Sequence, residues 1–186
     1  MDFNSHSDLE GKHAFLSPSN YHWINYSDVK LADRYVAARA AQKGVELHAF
    51  AHEAIRLRIK LPDDGTTLNT YVNDCIGYKM ATEQPLYYSE NCYGHADAIC
   101  FFNMMLRVHD LKTGVIKASE HQLEIYAALF CLEYVLTPFE IETELRIYQN
   151  DGVRVFKPYP ETISMIMDKI VMFDQQIEEL KVRGAW

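Results

Sequence analysis

The sequence is short of the features that mark secreted, membrane-bound or cross-linked chains. Its four cysteines, Cys75, Cys92, Cys100 and Cys131, are scattered, and no CxxC pair exists. That argues against a zinc ribbon or a dithiol redox motif and reads as four buried thiols. No apolar run approaches the roughly 18 residues of a membrane span, so no membrane partner is expected. The opening MDFNSHSDLEGKH is polar and acidic, unlike the basic and then apolar start of a signal peptide, and the chain is expected in the cytoplasm. Positive charge is scarce as well: 18 Lys and Arg face 26 Asp and Glu, a formal net charge of −8. Such a balance argues against a surface coated in positive potential, although local patches decide charge-driven binding more than totals do. There is no internal repeat, no low-complexity tract and no linker long enough to divide the 186 residues. One domain, 1–186, is expected, with 1–15 loosely structured.

What is present is an ordinary globular composition, 48% hydrophobic, with 12 tyrosines suited to half-buried sites. The charge is uneven. Between 30 and 60, Lys30, Arg34, Arg39, Lys43, Arg56, Arg58 and Lys60 outnumber Asp33, Glu46 and Glu53. Between 133 and 151, Glu133, Glu140, Glu142, Glu144 and Asp151 face Arg146 alone. The basic stretch is where a phosphate backbone would be met, and equally it is what a solvated helix face looks like.

The patterning gives a sequence of elements. Ser17-Pro18 is a helix start, predicting a short helix over 18–25. A long helical stripe runs over 28–60 through Leu31, Tyr35, Ala38, Val45, His48, His52, Ile55 and Ile59, with Gly44 a candidate break. Residues 67–81 read as helical. LYYSE, HADAICFF and LRVHDL then read as a three-stranded antiparallel meander, with a turn near Asn103-Met104. A helix over 118–135 follows, then a strand with Phe139, Ile141, Thr143, Leu145 and Ile147 on one face. Asp151-Gly152 reads as a hairpin turn, and Pro160 opens a last helix with Ile163, Ile166, Ile170, Phe173, Ile177 and Leu180 as its stripe. The expected fold is α/β, a mixed central β-sheet flanked by helices.

Chemistry concentrates in the meander. In RVHDLKTG, residues two apart on a strand share a face, so Asp110 and Lys112 lie on one side while His109 and Leu111 lie on the other. Asp97, 13 residues earlier, falls beside Asp110 if the chain turns near 103–104. Two carboxylates at close range resist joint ionisation unless a cation compensates. Mg²⁺ favours one or two carboxylates plus water and phosphate oxygens, and the Leu111 carbonyl is a further candidate ligand. Lys112 is placed to activate a water or to stabilise charge on a phosphate.

Gly94-His-Ala-Asp97, Asp110-Leu-Lys112 and Gln122-Leu-Glu-Ile-Tyr126 occur in the order of three motifs, GxxD, (D/E)xK and QxxxY. In this the chain resembles the PD-(D/E)XK nuclease superfamily, most closely its RecB-like and phage exonuclease branch. The likeness covers about residues 16–157, with the motif core over about 44–157. It departs from the strict pattern in having Ala96 before Asp97. The four scattered cysteines do not match the iron–sulfur members. The resemblance implies a restriction-endonuclease-like core and a Mg²⁺- or Mn²⁺-dependent deoxyribonuclease. His48, Asp97, Asp110 and Leu111 would hold the metal, and Asp97, Asp110 and Lys112 would be catalytic. Gln122 and Tyr126, one turn apart on a helix, would touch the DNA backbone. It further implies a phage or prophage exonuclease working in recombination, replication or DNA processing in a bacterial cytoplasm, as a homo-oligomer or with a partner protein. An endonuclease of the same fold and a catalytically silent binding module remain open alternatives.

Overall fold

The computed structural model describes residues 5–114 and 118–184. The chain divides into two compact units, Met1–Val45 and Glu46–Trp186. In the first, short 3-10 helices form at Ser7–Leu9 and Pro18–Asn25. The second of these takes the place of the expected helix over 18–25. Ser17 precedes it without capping it; its hydroxyl bonds that of Ser19 at 2.8 Å instead. Helix α1, Asp28–Arg56, begins in this unit and ends in the other. It runs unbroken through Gly44, contrary to the expected break. A helical glycine costs about 1 kcal/mol, which the alanine-rich sequence on both sides can carry. Of the expected stripe on α1, Ile55 is buried and His48 and His52 are half-buried, whereas Tyr35 and Val45 are exposed.

The second unit is built on a five-stranded mixed sheet in the order β1-β2-β3-β4-β5. Strands β1 (Ala81–Ser89), β2 (Cys92–Phe102) and β3 (Met105–Leu111) form the antiparallel meander. Asn103 and Met104 both take positive φ, +50° and +59°, at the tip of the second hairpin, as a tight primed turn requires. Strand β1 starts at Ala81, earlier than its apolar residues suggest, because helix α2 (Thr67–Gly77) stops short of 81. Helix α3, His121–Glu133, is the crossover that lets β4 (Glu142–Gln149) lie parallel to β3. Strand β5, Gly152–Phe156, returns antiparallel to β4. The turn between them centres on Asn150 and Asp151, both at φ +53°, one residue before the expected Asp151-Gly152. Helix α4, Pro160–Val182, closes the fold.

Both faces of the sheet are covered. One core joins Leu106, Val108, Leu145 and Ile147 to Leu123 and Leu129 of α3 and Ile163 of α4. The other joins Ala98, Leu111 and Tyr148 to Val72 and Cys75 of α2 and to Ala51, Ala54 and Ile55 at the end of α1. Ile141, Thr143, Leu145 and Ile147 are buried as expected, but Phe139 precedes β4 and is 60% exposed. On α4 the inner stripe ends near Ile170; Phe173, Ile177 and Leu180 are exposed.

Alternation along β3 sends its polar side chains to opposite faces. Leu106 and Val108 face α3, while Leu111 faces α2. Asp110, in phase with the first pair, is therefore directed to the α3 side, and His109 to the α2 side. There His109 is fully buried, with Nδ1 3.1 Å from the Tyr148 hydroxyl and Nε2 unpartnered. Burial, and then the Arg146 and Arg107 guanidinium groups, push its pKa down from 6.5 to about 3.

An unfolded His109 thus takes up a proton more readily than the folded one, so it draws stability away as pH falls below about 6.5, by at most about 1.4 kcal/mol per pH unit. Urea unfolding of the wild type and His109→Gln between pH 4 and 8 should show the variant losing less stability on acidification. Parallel pH profiles would contradict this account of the buried imidazole.

Candidate functional site

The β2–β3 ladder carries Ala98 opposite His109. Just beyond the last paired residues, Asp97 and Asp110 are close enough for the Asp97 charge to act on Asp110. On the other side of β2, Thr82 pairs Ala98 and Gln84 pairs Ala96, leaving Glu83 and Asp97 outside the ladder between them. Both strands change phase at this point. Ala96 belongs to the α3-side core, yet Ala98, two residues on, belongs to the α2-side core. Thr82 reaches His52 of α1, whereas Leu86 packs on the α3 side. Glu83 absorbs the change with φ +51°, a left-handed conformation that is uncommon for a non-glycine residue. Strained backbone of this kind collects at functional sites.

The phase change gathers acids beside α1. Ligand atoms of His48, Glu83 and Asp97 all lie within 4.8 Å of one another. His48 Nδ1 is 3.6 Å from Asp97 Oδ2. The same Asp97 oxygen accepts the Leu111 backbone N–H at 2.9 Å, which ties β2 to the end of β3. Leu111 meets the site through this amide; its side chain is buried on the α2 side, facing away as expected. His52, one turn beyond His48, has its Nδ1 2.6 Å from the Thr82 hydroxyl.

Asp110 is 2% exposed. Its Oδ1 accepts a hydrogen bond from Lys112 Nζ at 2.9 Å, and its Oδ2 is buried without a partner. Burial first, and then the Asp97 charge, raise its pKa to about 6, against the pull of Lys112 and His48. A carboxylate with one oxygen satisfied and one orphaned is costly to keep. The Asp97 and Glu83 carboxylates and the His48 imidazole form a donor cluster rich in hard oxygen, with the buried Asp110 carboxylate close enough to feel the Asp97 charge. Such a set fits a divalent cation of the Mg²⁺ or Mn²⁺ kind.

Lys112 Nζ also donates to Gln122 Oε1 of α3 at 3.0 Å. An ammonium has three N–H groups. Two are engaged here, which leaves one to direct outward. Tyr126, one turn further along α3, donates its hydroxyl to the His95 carbonyl at 2.6 Å. Its ring lies over Gly94: a Cβ at that position would come within 3.0 Å of Tyr126 Cε1. The glycine of GxxD and the tyrosine of QxxxY are therefore one packing contact, which clamps α3 onto β2 beside Asp97.

The structure thus brings together His48, Asp97, Asp110, Lys112 and Gln122, with Tyr126 beside them and bonded to β2. Glu83 belongs to the same group but was not among the sequence candidates. ATEQPL carries no motif, and only a β1 beginning at Ala81 puts Glu83 across from Asp97. No protein-family model matches the chain, and neither a curated protein nor a solved structure matches it significantly.

The Gly94–Tyr126 contact makes a specific expectation. Gly94→Ala should destabilise the protein by about 1–3 kcal/mol, as overpacking does. The same substitution in a Tyr126→Ala background should cost under about 0.5 kcal/mol. Equal costs in both backgrounds, measured by denaturant unfolding, would show that the contact does not explain the glycine.

Proposed function

We propose that this protein is a metal-dependent deoxyribonuclease of the PD-(D/E)XK type, with a restriction-endonuclease-like core, acting as an exonuclease in phage or prophage DNA recombination, replication or processing. The observation that carries the reading is the orphaned, buried Asp110 Oδ2 beside Asp97 and Lys112. Lys112 satisfies one oxygen of this carboxylate and leaves the other for the cation that phosphodiester cleavage would use. The order of the GxxD, (D/E)xK and QxxxY motifs adds to it.

In this reading His48, Glu83, Asp97, Asp110 and the Leu111 carbonyl would hold Mg²⁺ or Mn²⁺. The cation supplies Lewis acidity, which offsets charge on the phosphate and makes a nearby water more acidic. The residues of the chain do the rest. Asp110 Oδ1 and Gln122 Oε1 fix the Lys112 ammonium, whose third N–H points to the reacting phosphate or water. Held in this way, Lys112 stabilises the transition state without paying for reorganisation. The Leu111 amide keeps Asp97 in place, so the two aspartates stay close although they repel. Gln122 is exposed and Tyr126 half-buried, and in this reading both meet the DNA backbone, Tyr126 while also holding β2.

The test is cleavage of linear and circular DNA with and without Mn²⁺, comparing the wild type with Lys112→Ala. Wild-type protein should cut only with the metal, and only linear DNA if it is an exonuclease. The variant should be slower by about 10²–10⁴-fold with Mn²⁺ binding retained. Nicking of circles would replace the exonuclease reading by an endonuclease. No cleavage by the wild type would favour a silent binding module and overturn the proposal.

A further inference from the structure

The first unit contains a cleft of about 850 Å³ that lies outside the acidic site. The rings of Phe15, Trp23 and Tyr26 line it, together with Lys30 and Arg34 of α1. Trp23 and Tyr26 are half-buried along the cleft. The indole N–H of Trp23 donates to the Ser17 carbonyl at 3.0 Å, which holds the ring in place before anything binds.

The charge of the cleft is selective. No Asp or Glu lines it, in a chain where acids outnumber bases 26 to 18. Lys30 and Arg34 are one helical turn apart and so share a face of α1. Among the described residues neither forms an ion pair, although Asp28 and Asp33 are close in sequence. Lys30 Nζ instead rests 4.8 Å from the centre of the Tyr26 ring. Two uncompensated cations beside preset aromatic faces are the chemistry of a site for a polyanion with exposed flat rings.

We infer that this cleft binds a segment of single-stranded DNA, with bases against Trp23 and Tyr26 and phosphates on Lys30 and Arg34. The choice of DNA rests on the nuclease reading of the second unit. The choice of a single strand rests on the cleft itself, because duplex bases are stacked on one another and cannot offer a face to an aromatic side chain.

The experiment is a fluorescence titration of Trp186→Phe, which leaves Trp23 as the one tryptophan, in EDTA so that nothing is cut. The probes are oligothymidylate, the same oligomer without bases, a blunt duplex and inorganic phosphate. Oligothymidylate should quench Trp23, and its affinity should fall steeply with added salt. Binding should weaken about tenfold or more for the base-free oligomer and for Lys30→Ala with Arg34→Ala. Absence of quenching, quenching indifferent to the two cations, or equal response to the duplex or to phosphate would overturn the proposal. Because no cleavage is read, this result and that of the nuclease assay stand apart. A protein that cuts DNA without quenching refutes the cleft, and one that quenches without cutting refutes only the nuclease.

Discussion

The crowding of negative charge where β2 meets the end of β3 governs this protein. The Asp97 charge acts on Asp110, Glu83 lies against Asp97, and one buried oxygen of Asp110 has no hydrogen-bond partner. At neutral pH this arrangement costs stability. The folded pKa of Asp110, about 6, exceeds the ordinary 3.8, so the unfolded chain ionises more readily. The cost is present above about pH 6 and vanishes as pH falls below the unfolded value. Lys112 and the Leu111 amide relieve part of it. The remainder is a demand for positive charge, which the proposed cation would meet.

The rest of the second unit serves to impose that demand. The α3 crossover makes β3 and β4 parallel and central, so that Asp110 is buried between core layers and cannot swing out to water. The same helix delivers Gln122 to Lys112 and Tyr126 to Gly94. The end of α1 packs by Ala51, Ala54 and Ile55, and that packing sets His48, three residues earlier, against Asp97. Left-handed backbone at Glu83 is the local strain that the arrangement carries.

Much of this was legible in the sequence because it rests on short-range periodicity. Two-residue alternation puts Asp110 and Lys112 together and turns His109 and Leu111 away, and the structure keeps that division. The meander, the crossover helix and the β4–β5 hairpin follow from strand patterns and turn residues. What was not legible depends on long-range register or on compensation. Glu83 joins the site only through a phase change shared by two strands, which no local pattern encodes. Gly44 reads as a break because propensity is judged residue by residue, whereas α1 averages over its neighbours. The apolar run of α4 extends past the core that it serves, so Phe173, Ile177 and Leu180 look buried in a helical projection and are not. QxxxY suggests a surface for ligand, and the packing role of Tyr126 emerges only when Gly94 is found beneath its ring.

The central claim, that the acids are held in unfavourable proximity for the sake of a cation, is tested most directly by thermal unfolding of the wild type and Asp110→Asn with and without Mn²⁺. Removing the buried charge should make the metal-free variant more stable than the wild type, each kcal/mol raising the melting temperature by roughly 2–4 °C. Mn²⁺ at about 100-fold above its dissociation constant should stabilise the wild type by about 2.7 kcal/mol and the variant far less. An Asp110→Asn protein that is less stable without metal, or that gains as much from Mn²⁺ as the wild type, would contradict the account.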